Sequence, residues 1–149
     1  MDERFMDMAL EEARKAENAG EVPVGAVIVD AKGNVVARGF NQPISLHDPT
    51  AHAEIVAMRA AAKAIRNYRL AGLMLYCTME PCVMCAGAMV HSRIERLVFG
   101  AVDAKAGAVG SIYNVLADPR LNHQMEVVSG VREEECREIV QRFFERRRG

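Results

Sequence analysis

Three observations assign this chain to the α/β class, as a three-layer α/β/α domain with a mixed five-stranded sheet. Short apolar or β-branched runs alternate with longer amphipathic segments in the order α-β-β-α-β-α-β-α-β-α. Strands joined through helices are normally parallel by right-handed crossover, which places helices on both faces of one sheet. The first two runs are separated only by Asp30-Ala31-Lys32-Gly33-Asn34, a hairpin turn that imposes one antiparallel pair. With 149 residues the chain is long enough for one continuous core and too short for two, so residues 1–149 read as a single domain.

Each element has its own signal. Phe5, Met8, Ala9, Ala13, Ala16 and Ala19 recur at helical spacing up to Gly20, which predicts an amphipathic helix ended by a glycine. Residues 24–29 and 35–40 are the hairpin strands. A loop with Pro43 and Pro49 leads into an alanine-rich helix over 51–65, with Asp48 or Thr50 available as N-cap. Residues 73–78 predict a buried strand, followed by a helix reaching His91 with Pro81 at its first position. Residues 97–101 predict another buried strand. Gly107 and Gly110 mark a loop, 112–117 a short helix, 126–129 a last strand, and 132–148 a final helix carrying Ile139, Val140, Phe143 and Phe144.

Composition excludes several classes. Half the residues are hydrophobic and about a quarter charged, yet no stretch approaches the roughly 20 apolar residues of a membrane span. Asp2, Glu3 and Arg4 follow Met1 where a secretory signal would be basic and then apolar, so a soluble, cytoplasmic protein is expected. Four unevenly placed cysteines do not make a disulfide framework; reduced thiols or metal ligation fit better. A net charge of -1 gives no global basic excess for nucleic acid. Locally, Arg142, Arg146, Arg147 and Arg148 face a single acid, Glu145; taken alone, this is a solvated helix end whose cations suit the negative pole of the macrodipole.

His52-Ala53-Glu54 and Pro81-Cys82-Val83-Met84-Cys85 carry the chemistry. Cys82 and Cys85, three apart in the first turn of a helix, project to the same side and can reach one metal. His52 lies in the first turn of another helix, and residues 52 and 54 diverge around it, so a metal shared by His52, Cys82 and Cys85 must lie over the helix ends. Imidazole and thiolate ligands suit tetrahedral Zn2+, one ion per subunit, and three protein ligands leave one position for a water of lowered pKa. Two helix N-termini would favour the thiolates, and Glu54 is then free to act as proton carrier. A lone Cys-x-x-Cys also fits a redox pair and His-x-Glu alone says little; the combination, each half opening its own helix, favours the open metal site. Cys77 and Cys136 read as packed, and His47, His91 and His123 as ordinary histidines.

The same two motifs form the signature of zinc-dependent deaminases. Beyond them, Glu21 to Ala26, Asn41, His47 to Glu54, Asn67 to Leu70, Glu80 to Met89, His91 to Ile94, Phe99 to Ala101, Asp103 to Lys105, Gly107, Gly110-Ser111 and Asn122-His123 make the chain resemble bacterial tRNA-specific adenosine deaminases nearly from end to end. Departures, chiefly in the hairpin turn near Lys32, touch neither the metal nor the proton-transfer positions. The resemblance implies a cytidine deaminase-like fold, a homodimer, and deamination of the wobble adenosine in the anticodon stem-loop of an arginine tRNA to inosine. It implies zinc on His52, Cys82 and Cys85, hydroxide attack on C6 of adenine, and Glu54 as proton shuttle. Asn41 would contact the target nucleotide, Asp103 would lie near its ribose, where a carboxylate can accept from a 2′-OH, and Val24 and Ala53 would border the base. Taken alone, Asn41 and Asp103 are turn chemistry. In this light Phe144, Arg147 and Arg148 become RNA contacts, joined by Lys105. Two rivals stand beside this reading: a zinc deaminase of a free base or nucleoside such as guanine or cytosine, and a structural zinc-binding interaction module closed by a fourth protein ligand.

Overall fold

The computed structural model describes residues 1–148, and of Arg148 only the helical backbone. Helix α1 (Asp2–Asn18) leads into the hairpin β1 (Gly25–Val29) and β2 (Val35–Phe40). A one-turn helix α2 (Pro43–Leu46) precedes α3 (Ala53–Ile65), β3 (Met74–Met79), α4 (Val83–Ser92) and β4 (Arg96–Ala101). A 3-10 turn (Val115–Ala117), β5 (Glu126–Val128) and α5 (Glu133–Arg148) complete the chain. The five-stranded sheet has the order β2-β1-β3-β4-β5. β1 runs antiparallel to both β2 and β3, while β3, β4 and β5 are mutually parallel. The expected mixed sheet and its hairpin are both present, with β1 as the one reversed strand.

Alternation along the buried strands divides the core between the two faces. Ala26, Ile28, Leu75, Cys77, Leu97 and Phe99 pack under α3 and α4. Val27, Val29, Tyr76 and Val98 point the other way, against Phe5, Met6 and Ala9 of α1 and Ile139 of α5. This is the expected three-layer packing, and period-two patterning is its cause. Close approach of each layer depends on a glycine: a methyl at Gly25 would overlap the backbone of Ala9 and Ala13 in α1, and one at Gly39 would meet the backbone of Ala53 and Ala57 in α3.

Because β1 opposes its neighbours, its entry lies at the same sheet end as the exits of β2, β3 and β4. Val24, Asn41, Glu80 and Asp103 are thereby gathered at one edge although they lie far apart in sequence. Local chemistry shifted several expected boundaries. Pro43 starts a helical turn inside the expected loop, fitting the fixed φ of proline at a first position. Pro81 lies outside α4, whose N-cap is Cys82, and His52 is the N-cap of α3. Asp48 does not cap α3; its carboxylate accepts instead from the Thr50 amide and hydroxyl at 2.8 and 2.7 Å, closing a local turn. The short helix expected over 112–117 is reduced to its last three residues.

The two faces yield two predictions. Gly25→Ala should destabilise the protein by at least about 2 kcal/mol in urea unfolding, because the methyl meets backbone and not a movable side chain. At the start of α1, Arg96 donates to the Asp2 carboxylate at 2.8 and 3.0 Å and the Tyr76 hydroxyl donates at 2.7 Å. The Arg96 guanidinium, helped by Tyr76, holds the Asp2 carboxyl down to about 2. A depressed carboxyl stabilises above its unfolded pKa of about 3.9, and the contribution is lost as pH falls toward the folded value. Asp2→Asn should therefore cost about 1 kcal/mol at pH 7 and almost nothing near the folded pKa, read from urea titrations across that range.

Candidate active site

α3 and α4 begin at the same sheet end, because each follows a strand that ends there or the loop leaving one. Their N-caps, His52 and Cys82, both have extended backbone, so each side chain reaches forward over its own helix start. Cys85 lies one turn into α4. His52 Nδ1 is 3.5 Å from the Sγ of Cys82 and 3.5 Å from that of Cys85, and the donor atoms all lie within 4.8 Å of one another. A tetrahedral zinc about 2.3 Å from sulfur and about 2.0–2.1 Å from nitrogen requires N and S about 3.5 Å apart. The donor set therefore fits zinc in both type and spacing. Among the described residues no fourth His, Cys, Asp or Glu joins the group, so one vertex is left without a protein ligand. The closed structural site entertained from the sequence is not what these residues build.

Proton sharing among the donors shows the same crowding. The Cys85 thiol bonding to its sulfur, together with His52, outweighs burial and draws Cys82 down to about 3. Cys85, which keeps its proton toward Cys82 and is buried, is raised. His52 is raised by its bond to the Cys82 sulfur. A metal held by these three groups would take the place of the protons they share. Glu54, on the first turn of α3, is 4% exposed. Burial pushes its carboxyl up to about 7, against the pull of its own backbone amide and of His52.

His52, Glu54 and Cys82 line a cleft of about 410 Å³ together with Val24, Asn41, Asp103, Lys105, Val140 and Phe144. Asp103 does both things its sequence context allowed: its carboxylate accepts from the Lys105 and Ala106 amides in a turn, and the residue lines the cleft. Ala53 is fully buried and does not line the cleft, since its backbone packs over Gly39. Arg147 also lies outside it: the guanidinium donates to the Gly20 carbonyl at 2.8 Å and lies 4.8 Å over the Phe143 ring. The expectation for the Arg148 side chain lies outside the described residues. Cys77 and Cys136 are packed in the core, as expected.

Several lining residues were not singled out from sequence: Val22, Met79, Glu80, Ala106 and Val140. Glu80 and Glu21 are buried carboxylates that hold loops. Glu80 accepts from the amides of Asp103, Val109 and Ser111 and from the Ser111 hydroxyl. Burial raises its pKa, but these donors outweigh it and the carboxyl is lowered. Glu21 accepts from the Ile44 and Ser45 amides and the Ser45 hydroxyl. For Glu80 the available signal was a glutamate between the end of a strand and Pro81.

The fold and the open His-Cys-Cys centre define a zinc deaminase site, and comparison with known proteins agrees. Residues 1–101 match the cytidine and deoxycytidylate deaminase zinc-binding region. A tRNA-specific adenosine deaminase of Haemophilus influenzae is 56% identical over 99% of this chain and 85% of its own length. The Bacillus subtilis protein of that name is 50% identical over 96% of this chain and 88% of its length. A solved structure from studies of A-to-I editing by tRNA:A34 deaminases at the wobble position of transfer RNA superimposes with a TM-score of 0.88. It is 48% identical and covers 91% of this chain and 98% of its own. The chain belongs to the family of tRNA-specific adenosine deaminases, zinc-dependent hydrolases.

The donor geometry predicts about one zinc per chain by elemental analysis, falling below about a tenth in Cys85→Ala while far-UV circular dichroism is retained.

Proposed function

We propose that this protein, as a single-domain cytoplasmic homodimer, converts the wobble adenosine of a tRNA anticodon, an arginine tRNA foremost, to inosine and ammonia. The observation that carries this reading is the juxtaposition of three zinc-type donors and a buried carboxylate at an open cleft. Likeness to the wobble adenosine deaminases supports the substrate. No helix is long and apolar enough to cross a membrane among the described residues, in keeping with a soluble tRNA partner.

His52, Cys82 and Cys85 would hold the zinc, which when bound would supply the Lewis acidity that makes a water nucleophilic at neutral pH. Glu54 takes a proton from the attacking water and passes it to N1 of adenine as C6 becomes tetrahedral. The carboxyl then carries the second proton to the departing amine, so that adenosine and water leave as inosine and ammonia. Asn41, with one donor and one acceptor group, orients the nucleotide. Asp103 and Lys105 line the same cleft. The reacting base has to enter the cleft to reach His52, Cys82 and Glu54, so it must be unpaired or extruded from its loop before it reacts. Phe144 at the rim offers a ring for stacking, and Arg147 and Arg148 lie beyond it on the same helix for phosphate contact.

Incubation of the purified protein with an unmodified arginine tRNA bearing a wobble adenosine should give inosine. Free adenosine, free guanine and a chelated sample should give no product. Glu54→Ala should keep its zinc and lose about a thousandfold in kcat. Turnover of a free base without RNA would instead assign the site to a small-molecule substrate.

A further inference from the structure

Glu80 is the buried acid that the proton-transfer chemistry leaves unused. It lies two residues before the metal donor Cys82, is 4% exposed, and lines the cleft. Its two oxygens each accept twice: one from the Asp103 amide at 3.0 Å and the Ser111 hydroxyl, the other from the amides of Val109 at 2.9 Å and Ser111 at 3.1 Å. Three backbone donors from residues 103–111 thus converge on one point. A carboxylate is the side chain that can receive them all, whereas a carboxamide would turn an NH2 group toward backbone N–H groups. The fit leaves no slack. A methyl at Gly107 would overlap the Glu80 carboxylate itself, so the loop lies directly on it.

The same loop is laced to the approach to Cys82 by backbone bonds from Glu80 N–H to the Ala101 carbonyl and from Ala108 N–H to the Pro81 carbonyl, both 2.8 Å. Asp103, Lys105 and Ala106, at the near end of the loop, form one wall of the cleft. The segment that follows Asn41, another lining residue, is hung in the same manner, with Glu21 accepting from its Ile44 and Ser45. Both carboxylates are buried and satisfied, and both hold loop backbone and not a substrate.

We propose that Glu80 is a positioning residue for substrate: it fixes the Asp103–Ala106 wall relative to the metal centre and so sets how well a nucleotide is gripped. The substrate side of this inference rests on the tRNA-deaminase reading above. Its physical basis is that a buried acceptor shared by four donors, once removed, leaves the donors unpaired and releases the loop without disturbing the donor atoms of His52, Cys82 and Cys85.

The test compares wild type with Glu80→Gln and with Ser111→Ala, which removes only the hydroxyl donor. Three quantities are measured: zinc content, amide hydrogen exchange of residues 103–111, and steady-state kinetics on an anticodon stem-loop RNA. In Glu80→Gln, KM should rise about tenfold with kcat per bound zinc changed less than about twofold, zinc retained, and exchange at Asp103, Val109 and Ser111 accelerated. Ser111→Ala should move in the same direction by less. A loss of folded fraction alone lowers apparent kcat at constant KM, and that pattern overturns the proposal. Unchanged exchange or loss of zinc overturns it as well. If wild type makes no inosine from the stem-loop, the tRNA reading is what fails, and the exchange arm still decides whether Glu80 holds the wall: acceleration supports it and its absence overturns it.

Discussion

Everything in this structure depends on two helix starts being held close enough for an imidazole nitrogen to lie 3.5 Å from two sulfurs. Neither helix contributes that distance by itself. It is set by the sheet: α3 is pressed onto β2 where Gly39 presents no side chain, and α4 starts from the end of β3, one strand beyond β1. The direction of β1, opposed to β2 and β3, brings the loops before α3 and α4 to one edge. A register slip of one residue in either pairing would exchange the two faces of a strand and move the site with it. The metal centre is therefore a product of strand order, and the first and second motifs have no local means of finding each other.

The donor cluster crowds titratable groups together. Thiol, thiolate, imidazole and a buried carboxyl compete for protons within a few ångströms, and their pKa values are driven apart in opposite directions. Burial of Glu54 is the sharpest conflict, because a carboxyl excluded from water resists ionisation. A divalent cation relieves both problems together: it takes the place of the shared protons on the thiols and provides a positive charge near the carboxyl. Burial also keeps Glu54 largely away from bulk water as a competing proton source.

The sequence made the alternating elements, the hairpin and the metal motifs legible, because period-two strands, alanine-rich helices and closely spaced donors are local patterns. His52, Glu54, Cys82 and Cys85 could be chosen on chemistry alone, while Asn41 and Asp103 needed likeness to a family to distinguish them from turn residues. Glu80 and Glu21 were beyond local reading for a definite reason. The donors of Glu80 lie 23 to 31 residues later in the chain, and those of Glu21 lie 23 and 24 residues later. Their burial exists only once loops have closed. Ala53 is buried between His52 and Glu54, which line the cleft, because a helix turns about 100° per residue and carries its side chain toward the sheet.

The arginine-rich end of α5 shows how a nearly neutral protein can present cations without being basic throughout. Arg147 is occupied by the Gly20 carbonyl and the Phe143 ring, and Arg146 lies 3.5 Å from Glu17 of α1. These contacts dock the helix end and place Phe144 at the cleft rim. They are weak attachments by physical standards, since exposed ion pairs of this kind contribute about 0–1 kcal/mol. A phosphate group offers a guanidinium a stronger, charge-assisted pair than a carbonyl does. In the proposed reaction, then, exchange of these intramolecular partners for RNA opposes binding only slightly. On that proposal, the same docking would hold the cations near the cleft, where electrostatic attraction and nucleotide capture would act at one place on the surface.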